Sequence, residues 1–246
     1  VKIVSWNCNG AFRRKFAYLA QFEADVLIIQ ECEDPSQSKD VNYKDWAINY
    51  IWLGNTKNRG LGVFAKDGAV LEHLKFDQSF EDTQLKWFIP FRYNDNIEFV
   101  AVWTQKSDSG YFRYIGQFYK FIMNNLDRIS NQIFIGDFNS NKIWDYKRSE
   151  GDHSSCVNFL KNKGIVSLYH ELLKENQGEE QQPTFYLYRN LSKAYHIDYA
   201  FLPEPLLAGA SIFIGDHKEW LEISDHMPIV FEIPPLPLTP RRATQT

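Results

Sequence analysis

Five short polar segments of this 246-residue chain carry the residue types that phosphate chemistry with a hard cation needs. They are Trp6-Asn7-Cys8-Asn9-Gly10, Glu31, Gly136-Asp137-Phe138-Asn139, His196-Ile197-Asp198 and Ser224-Asp225-His226. Glu31 and Asp225 offer carboxylates, and Asn7 and Asn9 offer amide oxygens. No Cys or His cluster has zinc spacing, so oxygen donors predominate and Mg²⁺ is favoured, with Mn²⁺ as a substitute. Asp137 and Asn139 are two apart and can project from the same side of an extended segment. A carboxylate beside an amide can take a proton from water and hold that water in line with phosphorus. His226, paired with a carboxylate, can stay cationic and stabilise negative charge on a pentacovalent phosphate. Each segment alone has an ordinary structural reading, as a turn, a strand end or a salt-bridged acid. Their joint placement at strand ends is what carries the chemistry.

The elements that must position them are strands. Apolar runs of strand length, bounded by Gly, Asn, Asp or Pro, occur at Lys2–Trp6, Val26–Gln30, Gly62–Ala65, Ile97–Thr104, Ile133–Ile135, Ile197–Leu202, Ala210–Ile214 and Pro228–Ile233. Helical periodicity predicts a first helix with Phe12, Phe16, Leu19 and Ala20 on one face. A second is predicted from about Tyr111 to Arg128, lined by Phe118, Phe121, Ile122 and Leu126. A third, marked by Cys156, Phe159 and Leu160, stops at Gly164. Trp46 to Thr104 reads as almost purely strand-like while both flanks mix strands and helices, which predicts sheets covered by helices in one α/β layered domain over 1–233. From Pro234 the chain reads PPLPLTPRRATQT, a Pro-rich tail predicted to be extended and mobile.

Composition narrows the function class. Apolar residues at 44% and charged ones at 24% are those of a globular chain. With 27 basic and 31 acidic side chains the net charge is −4, which excludes a broadly basic nucleic-acid coat protein; a polyanion would have to meet a local basic patch or a bound cation. The three cysteines (Cys8, Cys32 and Cys156) fit no disulfide framework and read as reduced thiols, so a cytoplasmic location is expected. No apolar run approaches the ~20 residues of a membrane span. A monomer is expected.

SWNCNG, LIIQE, GDFN, HIDY and SDHMP together resemble the signatures of the endonuclease/exonuclease/phosphatase superfamily, most closely its exonuclease III and abasic-endonuclease branch. The resemblance runs from Lys2 to about Ile233. It implies a four-layered αββα sandwich, two packed mixed sheets flanked by helices, with the site at one edge. It also implies that Glu31 is the principal Mg²⁺ ligand, supported by Asn7 and Asp225, with Asn9 in the outer shell. By the same likeness Asp137 activates or orients the attacking water, Asn139 assists, and Asp198 orients His226 on the scissile phosphate. One position departs from the family. Where relatives carry His or Tyr against the phosphate, this chain has Trp103, whose indole donates one hydrogen bond but cannot shuttle a proton. Either Tyr111 or Gln105 reaches in, or the reaction runs without that group.

Relatives cleave DNA, RNA, inositol phosphates, sphingomyelin and protein–DNA adducts, so the substrate rests on peripheral residues. Arg13, Arg14 and Lys15 follow the first motif where DNA-repair relatives hold phosphates, and Lys57-Asn58-Arg59 could grip the other backbone. Solvated basic turns would look the same. Phe185, in Thr184-Phe185-Tyr186-Leu187-Tyr188-Arg189, resembles the aromatic that lines the sugar pocket of abasic-site nucleases. The expectation is an Mg²⁺-dependent phosphodiesterase acting on DNA. The alternatives are a phosphatase or phosphodiesterase for a small or lipid-derived phosphate, and a non-catalytic binding module.

Overall fold

The computed structural model describes residues 1–80, 83–94, 97–106, 114–146 and 151–234. Tyr111 and the tail beyond Pro234 lie outside those residues. In chain order the strands are β1 (Lys2–Asn7), β2 (Val26–Cys32), β3 (Tyr50–Thr56), β4 (Arg59–Ala65), β5 (Leu71–His73), β6 (Ser79–Phe80), β7 (Thr83–Gln84) and β8 (Phe88–Tyr93). They continue with β9 (Ile97–Trp103), β10 (Ile133–Asp137), β11 (Ile165–Ser167), β12 (Phe185–Tyr186), β13 (Ala194–Tyr195), β14 (Asp198–Pro203), β15 (Ser211–Ile214) and β16 (Ile229–Glu232). The α-helices are α1 (Val41–Trp46), α2 (Ile115–Asn124), α3 (His153–Asn162), α4 (Leu168–Leu173) and α5 (His217–Trp220).

Two six-stranded sheets, ordered β15-β16-β1-β2-β4-β3 and β11-β14-β10-β9-β8-β5, repeat one pattern. Each has a parallel pair at its centre, β1 with β2 and β10 with β9, flanked on both sides by antiparallel strands. The period of two explains the layers. Ile3, Val26, Ile28 and Val63 of one sheet meet Phe99, Ala101, Ile133, Ile135 and Ala200 of the other in a core between the sheets. The alternate residues Val4, Trp6 and Ile29 face outward under Phe12, Leu19, Tyr43 and Trp220. Val100, Val102 and Phe134 do the same under Phe118, Phe121 and Ile122 of α2 and Cys156 and Leu160 of α3. Two mixed sheets flanked by helices form the expected αββα sandwich. Among the described residues, no helix is long and apolar enough to cross a membrane.

Two helices differ from the periodicity. The first is a pair of 3-10 segments, Phe12–Arg14 and Phe16–Phe22, rather than one α-helix, and Ala20 is exposed. Lys15 breaks the ladder between them with φ −124, its amine turned back onto the Cys8 and Asn9 carbonyls. The second, α2, stops well short of Arg128. The Asn125 amide donates to the Phe121 carbonyl within the helix and to the Asp77 carbonyl outside it, which ends the α-ladder there.

Gly136 is the backbone position least open to change. Its φ of +148 disfavours any side chain, and a Cβ there would overlap the Val102 carbonyl of neighbouring β9. Gly136→Ala should destabilise the fold by about 3–5 kcal/mol and lower Tm on the order of 10 °C in thermal melts. A melt matching wild type would show that β9 and β10 do not pack this closely.

Candidate active site

The same alternation that builds the core delivers its polar residues. On β1 the inward series Ile3, Ser5 ends in Asn7; on β10 Ile133, Ile135 ends in Asp137; on β14 Ala200 and Leu202 are preceded by Asp198. At one rim of the sandwich the apolar inner face therefore gives way to amide and carboxylate groups. Asp137 pairs in register with Asp198 on one side and with Trp103 on the other.

Glu31 reaches this rim by breaking the pattern. After Leu27 and Ile29, strict alternation would turn it to the outer, helix-covered face. A β-bulge falls between Gln30 and Cys32 where β2 pairs with β4, and Glu31 adopts φ +66. A left-handed non-glycine residue costs about 1–3 kcal/mol, and such strain clusters at functional sites. Asn9 (φ +51) and Asn139 (φ +45) share this conformation, which asparagine tolerates better than most residues.

One amide ties the two sheets together here. Asn7 Nδ2 donates to Glu31 Oε1 at 3.3 Å and to Asp137 Oδ2 at 3.0 Å, while its Oδ1 accepts from the Asn9 N–H. Asp137, fully buried, also accepts from the Asn139 backbone N–H at 2.8 Å and from Asn139 Nδ2 at 3.0 Å. Asn139 Nδ2 is shared with the Thr104 carbonyl, which fixes the side chain's plane.

His226 stands before β16 with its Nδ1 2.9 Å from Asp198 Oδ2, and both side chains are buried. Burial alone would lower the imidazole's pKa. The Asp198 carboxylate outweighs it, with Asp137 and Asp225 adding to the effect, and the ring is held up at about 9. Burial first, and the charge of Asp198 second, push Asp137 up to about 7. The rim thus pairs an imidazolium with a carboxylate poised near neutrality. Ligand atoms of Asp137, Asp198 and His226 lie within 4.8 Å of one another, close enough to hold an ion. The Asp198–His226 hydrogen bond already satisfies two of them, so these three read better as proton-handling groups.

Thr184 is the positioning residue that sequence reasoning missed. Its hydroxyl donates to Asp198 Oδ2 at 2.7 Å and accepts from the backbone N–H groups of Ile197 and Asp198. The available signal was its place directly before Phe185, opposite the Asp198 strand. Further bonds clamp the His226 loop: Ser224 Oγ donates to the Asn7 carbonyl, Trp6 Nε1 to the His226 carbonyl and the Met227 N–H to the Thr184 carbonyl.

The structure brings Asn7, Glu31, Asp137, Asn139, Asp198 and His226 together. Asp225 is half-buried beside His226, and its charge acts on His226 and on Lys15. Asn9, just after β1, is exposed. Phe185 lies over His226 with ring centroids 4.5 Å apart. Arg59 forms an ion pair with Glu31 and stacks 5.6 Å above the Trp103 ring, so this cation belongs to the rim itself. Arg13 forms an ion pair with Glu33, and Arg14 is exposed. Trp103 is a core side chain, 2% exposed and packed on Trp87, rather than a surface group.

The residues that would offer oxygens to a divalent cation are Glu31 and Asn7, which lie side by side, and Asp225 next to His226. The neighbouring Cys8 is fully buried, with its thiol pushed far up by that burial, so no thiolate competes and a hard ion fits better than a soft one.

The sequence profile of the Endonuclease/Exonuclease/phosphatase family matches residues 4–226. The chain belongs to this family. Membership makes it a hydrolase of phosphate esters. No curated protein sequence matches significantly. Among solved structures, the family fold is shared with a 3′-5′ exonuclease (NExo) from Neisseria meningitidis, at TM-score 0.70 and 18% identity over 95% of this chain and 99% of that one. An AP endonuclease from Archaeoglobus fulgidus gives TM-score 0.70 and 19% identity, again over 95% and 99%. A 3′ phosphatase NExo variant from Neisseria, bound to product DNA hairpin, gives TM-score 0.68 and 17% identity over 95% and 99%. At these identities the likeness establishes the fold.

Proposed function

We propose that this family member is a Mg²⁺-dependent DNA phosphodiesterase of the exonuclease III and abasic-endonuclease type, with one catalytic domain over 1–233. The observation that carries the reading is the Asn7 bridge. It joins the Glu31 side of the rim, rich in oxygen donors, to Asp137 and, through it, to the Asp198–His226 pair. The exonuclease and AP endonuclease among the solved structures support DNA as the substrate class.

Glu31, Asn7 and Asp225 are the residues that would hold the ion, with Asn9 outside them and Mn²⁺ as a substitute. A bound ion supplies Lewis-acid charge at the phosphate. The chain's own groups do the rest. Asp137, its two oxygens fixed by Asn7 and Asn139, orients the attacking water and accepts its proton. Asn139 keeps that carboxylate in plane. His226, charged through Asp198, donates from Nε2 to a non-bridging phosphate oxygen and stabilises the negative charge that grows there. Buried Trp103 takes no part in proton transfer.

Glu31→Gln should raise the Mg²⁺ concentration needed for half-maximal cleavage, since an amide oxygen binds a hard cation more weakly than a carboxylate does. An unchanged Mg²⁺ titration would remove Glu31 from the ligand set. The reading as a whole is tested by a substrate panel of abasic, nicked and blunt duplex DNA, single strands, RNA, inositol phosphates and sphingomyelin. Cleavage of inositol phosphate with none of DNA would replace it by the small-phosphate alternative.

A further inference from the structure

Beyond His226 a row of aromatic rings leads outward. Phe185 lies 4.5 Å from His226, Tyr195 lies 6.5 Å from Phe185 and nearly parallel to it (29°), and Trp144 lies 5.1 Å from Tyr195 at 50°. All three line one cleft of about 980 Å³ that also contains Asn139, so the row is continuous with the reacting centre. That volume is near the upper end of the ~300–1,000 Å³ of ordinary small-ligand pockets.

Trp144 is the unusual member. Nearly half of it (48%) is exposed, so core burial does not account for its position. Its placement is nevertheless fixed from below. It closes the 3-10 turn Lys142–Trp144, whose N-cap Asn141 accepts from the Ile143 N–H at 3.0 Å. Asn141 is buried, and its Nδ2 donates to Glu180 Oε2, the His196 carbonyl and the Tyr199 hydroxyl at 2.9 to 3.2 Å. A buried polar anchor therefore presents a wet indole. Among the described residues, the charged side chains lining this cleft are Lys120, Asp145 and Asp152. Rings in sequence suit the faces of unpaired bases, which stack without sequence preference.

We propose that the Trp144–Tyr195 pair, continuing the row from Phe185, stacks bases of an unpaired DNA strand next to the scissile phosphate. The substrate would then be a DNA end, flap or gap with more than one unpaired nucleotide beside the cut. This inference rests on the DNA phosphodiesterase reading and narrows its substrate.

The test is fluorescence anisotropy in EDTA with two labelled probes, an oligo(dT) of about eight nucleotides and a blunt DNA hairpin, on wild type, Trp144→Ala and Trp144→Phe. Trp144→Ala should cut the preference for the single strand over the hairpin about tenfold, the loss of one base–ring stack, and Trp144→Phe should recover most of it. An unchanged preference in Trp144→Ala, or an equal loss in Trp144→Phe, overturns the inference. If wild type cleaves DNA with Mg²⁺ while Trp144→Ala keeps its preference, only this inference fails. If wild type neither binds the probes nor cleaves DNA, the DNA reading fails with it.

Discussion

Asp137→Asn should lower kcat on DNA by about two to four orders of magnitude at saturating Mg²⁺, the usual range for removing a positioned base. The carboxylate is buried and held up at about 7, so around neutral pH it can both order a water and take its proton. An amide of the same shape can do only the first. The substitution also turns an amide N–H₂ toward Asn7 or Asn139, both donors, so water positioning suffers as well. Thermal melts in EDTA separate lost chemistry from lost structure. Removing a charge that Asp198 repels should leave Tm near or above the wild-type value around pH 8. Turnover near wild type would remove Asp137 from its role.

His226→Ala should lower kcat by about two to three orders of magnitude, the scale of losing one charge-stabilising donor. Asp198→Asn should follow it in part, because the imidazole then loses the carboxylate that keeps it charged. The raised pKa has a second consequence with a defined sign. Unfolded histidine titrates near ~6.5 and folded His226 at about 9, so the stabilisation from its charge is complete below the first value and lost as pH climbs to the second. In EDTA, Tm should fall between about pH 7 and 9, and His226→Gln should flatten that slope. A slope identical in wild type and His226→Gln would mean that the Asp198 pair does not hold the proton.

The groups named above were legible in the sequence because each ends or begins a strand whose apolar alternation is plain. Ile3 and Ser5 lead to Asn7, and Ile133 and Ile135 lead to Asp137. The same pattern predicted helix-covered sheets in one α/β domain, and the family resemblance implied the four-layered sandwich. What local pattern could not show was contact between distant segments. Arg13 and Arg59 looked alike as basic residues near phosphate motifs, yet one is engaged by Glu33 and the other by Glu31. Thr184 acts on Asp198 only because β14 passes beside it. Glu31 was recognised by type, but the bulge that turns it to the rim depends on how β2 pairs with β4. The break at Lys15 between the two 3-10 segments is where its amine returns to the Cys8 carbonyl, a contact that helical periodicity does not show. Trp103 stands where relatives carry a phosphate-contacting His or Tyr, which left a contact and a core side chain both open; packing on Trp87 makes it a core side chain.

The most direct test of this account is cleavage of end-labelled abasic and blunt duplex DNA by the wild-type chain with Mg²⁺ and with EDTA. The account predicts cleavage products in Mg²⁺ and none in EDTA. Equal cleavage in both would contradict it, because the oxygen donors at Glu31 and Asn7 would then have no ion to hold.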